Sequence, residues 1–279
     1  MNPVLAAWLL LLAGNLFSAL YDLVLKLIDG DQGLLQFLFW RHLLALGLLL
    51  PWTGLVKVPA KKVMQVHLAR GVVALLGALA VIQALQSLPL GTFMALFLSA
   101  PVQMVILAAL FFGERPSRPL WIATFLGLAG VCLIVRPGSL HADAWLGFAS
   151  GTAFALGSLL LKKLPADTTS KDTLWWQTLL PLPFLALGAW WEGKGPNLEL
   201  LSLALLANLT LLVYQWTVVV AYRRAPVALV AGAEYTGLLY SLLLGYWWFA
   251  EIPNAWMLAG ATLIVLPMLW SQLRHHRSL

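Results

Sequence analysis

The chain has 279 residues, 61% of them hydrophobic and only 10% charged, with a net charge of +6. A soluble domain carries about 25% charged residues, so the composition excludes a water-soluble enzyme, a disordered chain and a nucleic-acid binder. The single cysteine, Cys132, lies in an apolar run and permits neither an intrachain disulfide nor a cysteine metal cluster. This is the composition of a polytopic helical membrane protein whose positive charge sits in basic loops.

A membrane-spanning helix takes about 20 mostly apolar residues. In chain order, the stretches 4–28, 33–52, 65–87, 90–112 and 119–136 qualify, followed by 144–163, 172–191, 199–221, 227–249 and 254–273. The links between them are short and leave no room for a soluble domain. The first stretch lacks a basic leading region and runs on through Tyr21 to Ile28, so it reads as a retained helix and not as a signal peptide. With the N-terminus inside, the inner loops hold 13 of the 17 basic residues and the outer side holds only Lys26, Arg136 and Lys194. This bias predicts that both termini are cytoplasmic, with Arg274-His275-His276-Arg277 near anionic lipid.

The fourth stretch is preceded by Pro89 and followed by Glu114; the ninth is preceded by Pro226 and followed by Glu251. Both separations are 25 residues, and the offset between the two copies is 137. A tryptophan opens the next stretch each time, Trp121 and Trp256, and Leu133-Ile134-Val135 is echoed by Leu263-Ile264-Val265. Five spans per copy is an odd number, so the second copy enters the membrane inverted. Inverted repeats characterise secondary transporters, which carry substrate near the midplane between the halves. The expected fold is an all-α integral membrane protein of ten transmembrane helices, arranged as two inverted five-helix repeats over 1–138 and 139–279.

The stretch from Pro89 to Gly138 contains Leu98-Ser99-Ala100-Pro101, Phe112-Gly113-Glu114 and Arg136-Pro137-Gly138. It resembles an EamA domain of the drug/metabolite transporter superfamily. The second half, from Glu234-Tyr235-Thr236-Gly237 to Phe249-Ala250-Glu251, resembles a second copy, with alanine at position 250 where many members have glycine. The resemblance covers nearly the whole chain. It implies a ten-helix inner-membrane secondary transporter, most often an exporter of small metabolites.

Ionisable residues within the bilayer are costly and are functional candidates by default. Arg41 sits near the middle of the second stretch. Its planar fork suits either a carboxylate that pins two helices or an anionic group of a substrate. Glu234 lies at similar depth in the ninth stretch. It can pair with Arg41, bind a cationic group or carry a coupling proton. Asn15, Ala19, Asp22 and Lys26 share one helix face, and Asp22 and Lys26 have the favourable order for an i,i+4 pair. Asp22 is also a proton-coupling or outer-gate candidate. Lys26 and Arg70, near span ends, are explained by snorkelling. His42 points about 100° away from Arg41 and need not share its site.

Polar side chains within spans turn inward, which makes Gln83, Gln103, Gln177, Tyr214, Gln215 and Tyr235 candidates to line a substrate cavity. Glu234, Gly237 and Ser241 share one face, where the glycine permits close approach of a ligand. Trp40 and Trp176, with Trp175 and Trp216, are candidates for an aromatic wall. The five histidines form no metal-ligand spacing, and no phosphate-binding loop is present. Neither a cofactor nor a metal is expected; the partners are a small-molecule substrate and the lipid bilayer, not nucleic acid, with the chain a monomer or a homodimer.

The expected function is export of small amino-acid-like zwitterions, including aromatic ones, by alternating access with or without proton coupling. The alternative is import or facilitated passage of a small organic cation or nucleoside-like solute, and a more distant one is an intramembrane enzyme.

Overall fold

The computed structural model describes residues 3–28, 33–53, 56–113, 116–135, 143–165, 167–224, 233 and 235–276. All regular elements among them are helical. The first half contains α1 (Pro3–Lys26), α2 (Leu34–Thr53), α3 (Lys61–Ser87), α4 (Leu90–Phe97), α5 (Ala100–Phe112) and α6 (Arg118–Val135). The second half contains α7 (Asp143–Leu160), α8 (Ser170–Leu179), α9 (Leu182–Glu192), α10 (Leu198–Arg224), α11 (Thr236–Phe249) and α12 (Ala255–His276). Among the described residues, six segments are long and apolar enough to cross a membrane: Leu5–Lys26, Leu34–Trp52, Lys61–Ser87, Leu90–Phe111, Asp143–Leu161 and Leu198–Val218. Leu110, Phe111, Leu187 and Trp247 are exposed on the bundle surface, as side chains facing lipid are.

Two of the expected continuous stretches are broken helices. The fourth breaks at Leu98-Ser99, between α4 and α5. Pro101 follows, and a proline near the start of a helix has no N–H to give to the preceding turn. Ser99 instead donates its hydroxyl to the Leu96 carbonyl at 2.5 Å. The seventh breaks at Leu180-Pro181, where Pro181 and Pro183 open α9. In the ninth stretch, helix α11 starts at Thr236; residues 227–232 and 234 lie outside the described residues.

The helix ends follow from local chemistry. Gly113 closes α5 with φ +65°, a left-handed conformation that glycine adopts without a steric penalty. Ala250 closes α11 in the same conformation, φ 53°. Its N–H donates to the Tyr246 carbonyl at 3.1 Å, and the Glu251 N–H donates to Gly245 at 3.0 Å. The bond from Ala250 to Tyr246 is the single 5→1 bond of an αL cap, so the alanine keeps the capping role.

Helix α1 packs against α10 and α11, while α3 packs against α7 and α8. Helix α2 packs against α8, α9 and α10; α4 meets α11, and α6 meets α12. The α6–α12 contact is the tightest in backbone terms. A Cβ added at Gly130 would lie 2.5 Å from the Gly260 carbonyl oxygen, and one at Gly260 would lie 2.6 Å from that of Gly130. Small residues that let backbones meet are the usual glue of helices in lipid. Phe37, Leu85, Phe93, Leu96, Leu185 and Ile264 are fully buried in the central apolar cluster.

Candidate functional site

A cavity of about 90 Å³ opens between α2, α3, α8 and α10. Its polar wall comprises Arg41 and His42 of α2, Gln177 and Thr178 of α8, and Asn208 and Gln215 of α10; Ala45, Leu49, Ala74 and Leu212 are among its apolar residues. Small-molecule pockets usually hold about 300–1,000 Å³, so this cavity is smaller than most of them.

Arg41 dominates the electrostatics of this cavity. Its Nη1 donates to the Tyr21 hydroxyl at 2.7 Å, and the guanidinium lies 5.9 Å from the centre of that ring. Its Nε is buried without a partner. Among the described residues no carboxylate is paired with Arg41; Glu251 pairs with Lys26 instead. Glu234, the expected partner, lies outside the described residues. Asn208, which the sequence reading did not single out, donates from Nδ2 to the Arg41 carbonyl at 2.8 Å and ties α10 to α2. His42 shares the cavity with Arg41 after all. The i, i+1 spacing turns it away along the helix, but the cavity is wide enough to reach both residues. Its Nδ1 lies 2.7 Å from the Leu38 carbonyl oxygen.

Arg70 corrects the snorkelling expectation. It is buried at 7% exposure. Its Nε donates to the Gly157 carbonyl at 3.3 Å and its Nη2 donates to Gln177 Oε1 at 2.9 Å. Helices α3, α7 and α8 converge there and cover the side chain before it can reach the surface.

The other expected site residues are dispersed. Gln103 joins α5 to α7: its Nε2 donates to Ser99 Oγ at 2.9 Å and to the Phe148 carbonyl at 3.2 Å, and its Oε1 accepts from Thr152 at 2.5 Å. Trp40 donates to Gln36 Oε1 at 3.1 Å. Trp175 and Trp176 are buried together against Leu49, Trp216 is 59% exposed and Gln83 is exposed. These four tryptophans therefore form no common wall. Tyr235 is buried. Neither Tyr214 nor Tyr235 is among the residues lining the Arg41 cavity. The space beside Gly237 is taken by the Met94 methyl group, 2.6 Å from where a Cβ would stand, so that face packs on α4.

The polar stripe of α1 does face one neighbour. Asn15 Nδ2 donates to the Ala233 carbonyl at 2.7 Å and to Thr236 Oγ1 at 3.0 Å, satisfying backbone where α11 begins. Lys26 pairs with Glu251 just beyond the end of α11, at 2.6 Å, and not with Asp22. Lys26 also donates to the Leu88 carbonyl at 2.5 Å, and Glu251 Oε2 accepts the Leu90 N–H at 2.6 Å. The pair thereby clasps α1, the α3–α4 link and α11. A carboxylate at the first N–H of α4 complements the helix dipole, and this competing attraction turns Lys26 and Glu251 towards each other. Asp22 is buried at 7% exposure with no hydrogen bond or ion pair among the described residues. Glu192 makes a similar cap, accepting the Leu35 and Gln36 N–H groups at 2.9 and 2.8 Å. Both carboxylates come from the second half and cap helices of the first.

Long apolar helices turned outward at their surfaces define a multi-pass membrane protein. The family model described as the EamA-like transporter family matches residues 5–136 and 142–271. The chain belongs to that family, whose members are transporters of the drug/metabolite type, and it is a transporter and not an enzyme. Among curated proteins it is 31% identical over 204 residues to a riboflavin transporter of Rhizobium johnstonii, covering 71% of this chain and 67% of that one. It is 26% identical over 207 residues to the pseudopaline exporter CntI of Pseudomonas aeruginosa, covering 71% and 72%. It is 24% identical over 206 residues to an S-adenosylmethionine uptake transporter of Rickettsia conorii, covering 72% and 69%. A solved crystal structure aligns with a TM-score of 0.55 at 17% identity, over 99% of this chain and 97% of that one; this likeness concerns the fold.

Proposed function

We propose that this transporter carries small anionic or zwitterionic metabolites, amino-acid-like in chemistry, by alternating access across a bacterial-type inner membrane. In this reading it has ten spans, two inverted repeats over 1–138 and 139–279, and both termini in the cytoplasm. The helix contacts support the repeat: α1 on α10 has its counterpart in α3 on α7, and α2 on α10 has its counterpart in α3 on α8. The basic-loop bias supports the orientation and puts the Lys26–Glu251 clasp at the outer face.

One observation carries the substrate assignment. Arg41 presents a positive charge to a cavity within the bundle, with no carboxylate paired to it among the described residues. An unpaired charge at this depth is costly and is offset when an acidic group of the substrate binds. Gln177 and Gln215 share that cavity and supply further polar contacts. Asp22 and Glu234 are the proton-coupling candidates, and export is the favoured direction. A second reading, transport of a riboflavin-like planar heterocycle, is favoured by the relative named a riboflavin transporter.

The test is transport by vesicles of both orientations, with amino acids, amines, nucleosides and riboflavin, under an imposed pH gradient. Acid-bearing solutes are expected to accumulate, and Arg41→Ala to abolish this. Accumulation that survives both Arg41→Ala and Glu234→Gln contradicts the site assignment. Movement of riboflavin alone favours the second reading.

A further inference from the structure

The polar atoms around the Arg41 cavity are constrained by their partners outside it. Arginine only donates hydrogen bonds. Because Arg70 Nη2 lies 2.9 Å from the Gln177 side chain, the amide oxygen must face Arg70. The two N–H groups of Nε2 are left for the cavity that Gln177 lines. Without Arg70 a primary amide could turn over and present its oxygen instead. Arg70 is itself held by the Gly157 carbonyl of α7, so it cannot follow such a rotation.

Two acceptors of the cavity are fixed in the same way. A backbone carbonyl only accepts, so His42 must donate from Nδ1 to Leu38, and a neutral imidazole then keeps Nε2 as an acceptor. Asn208 donates from Nδ2 to the Arg41 carbonyl, which leaves its oxygen as an acceptor. The cavity is therefore lined by two donors, Arg41 and Gln177, and two acceptors, His42 and Asn208.

We infer that Arg70 is a positioning residue for specificity: by fixing the Gln177 amide it gives the cavity a second donor, besides Arg41, for a carboxylate, while His42 and Asn208 take the N–H donors of the same solute. This rests on the reading of the Arg41 cavity as the substrate site. The chemistry selected is an acid and an amine close together, so an amine that lacks the acid is disfavoured.

The experiment measures KM and kcat in proteoliposomes for amino acids and for the amines made by decarboxylating them. Gln177→Glu keeps the contact to Arg70, as an ion pair, but offers oxygen to the cavity. Its acid-to-amine preference is expected to invert, with KM for acids raised about tenfold or more, the scale of one lost hydrogen bond to a charged group. Arg70→Gln lets the Gln177 amide turn, because glutamine both donates and accepts. It is expected to raise KM for acids about tenfold with little change in kcat, and Arg70→Lys, which only donates, to restore selectivity. A purely structural role for Arg70 would lower thermal stability in both Arg70 variants and leave the acid-to-amine ratio unchanged.

An unchanged ratio in Gln177→Glu and Arg70→Gln, with acid transport still lost in Arg41→Ala, overturns the inference and leaves the site standing. Acid transport that is indifferent to Arg41→Ala, or wild-type protein that moves none of these acids, overturns both.

Discussion

Glu251→Gln removes the charge from the clasp at the proposed outer face with little change of shape. The ion pair to Lys26 is 2.6 Å long, and the side chains are 14% and 15% exposed. A hydrogen bond to a charged group contributes about 1.5–3 kcal/mol net. Partial exposure places this pair towards the lower part of that range, at about 2 kcal/mol, or roughly thirtyfold in an equilibrium between closed and open outer ends. The amide oxygen introduced by Glu251→Gln can still accept the Leu90 N–H, so the α4 cap and the fold are expected to survive. The assay uses Thr92→Cys in a Cys132→Ala background. Thr92 is 7% exposed and lines a small cleft with Glu251; Cys132→Ala removes the one native cysteine of the chain. A membrane-impermeant maleimide applied from each side in turn should label Thr92→Cys slowly, and about thirtyfold faster from the outer side once Glu251→Gln is added. Equal labelling rates with and without Glu251→Gln, in protein of unchanged melting temperature, would refute the clasp.

Three further outcomes follow from the geometry. Ala250→Gly removes a left-handed alanine that costs about 1–2 kcal/mol but loosens the unfolded chain by about 0.4–1 kcal/mol; the net expectation is about 0.5–1 kcal/mol of stabilisation, read as a higher melting temperature in detergent. Gly130→Ala forces a methyl group against the Gly260 carbonyl and should cost about 1–3 kcal/mol, whereas Gly157→Ala, which meets nothing within 4 Å, should cost far less; equal effects would argue against the tight α6–α12 contact. Asp22→Asn should abolish the acceleration of transport by a pH gradient while leaving substrate exchange intact, and a gradient response that persists removes Asp22 from proton coupling.

Helix positions were legible in the sequence because apolar runs of spanning length are a strong signal. The 137-residue offset aligned Gly113 with Ala250, and both adopt the left-handed cap. Helix breaks were less legible. Leu98-Ser99 is as apolar as its surroundings, and only Pro101 marked it. Partners were the least legible. Asp22 and Lys26 fit the local i,i+4 rule, yet Lys26 is drawn to Glu251 by a carboxylate already held at a helix N-terminus, a contact between residues far apart in the chain. Arg70 looked like a residue near a span end because sequence depth does not reveal that α7 and α8 cover it. Asn208 gave one available signal, a lone amide in an apolar run, and polar groups in such runs turn inward.

The central claim is that substrate binds between α2, α3, α8 and α10 beside Arg41. Ala74→Cys, in the Cys132→Ala background, places a thiol on the wall of that cavity. Its alkylation rate, measured with and without a saturating solute that the wild-type protein transports, tests the claim most directly. The account expects the solute to protect the thiol, and Arg41→Ala to remove the protection. Full transport with no protection at position 74 would place the substrate elsewhere.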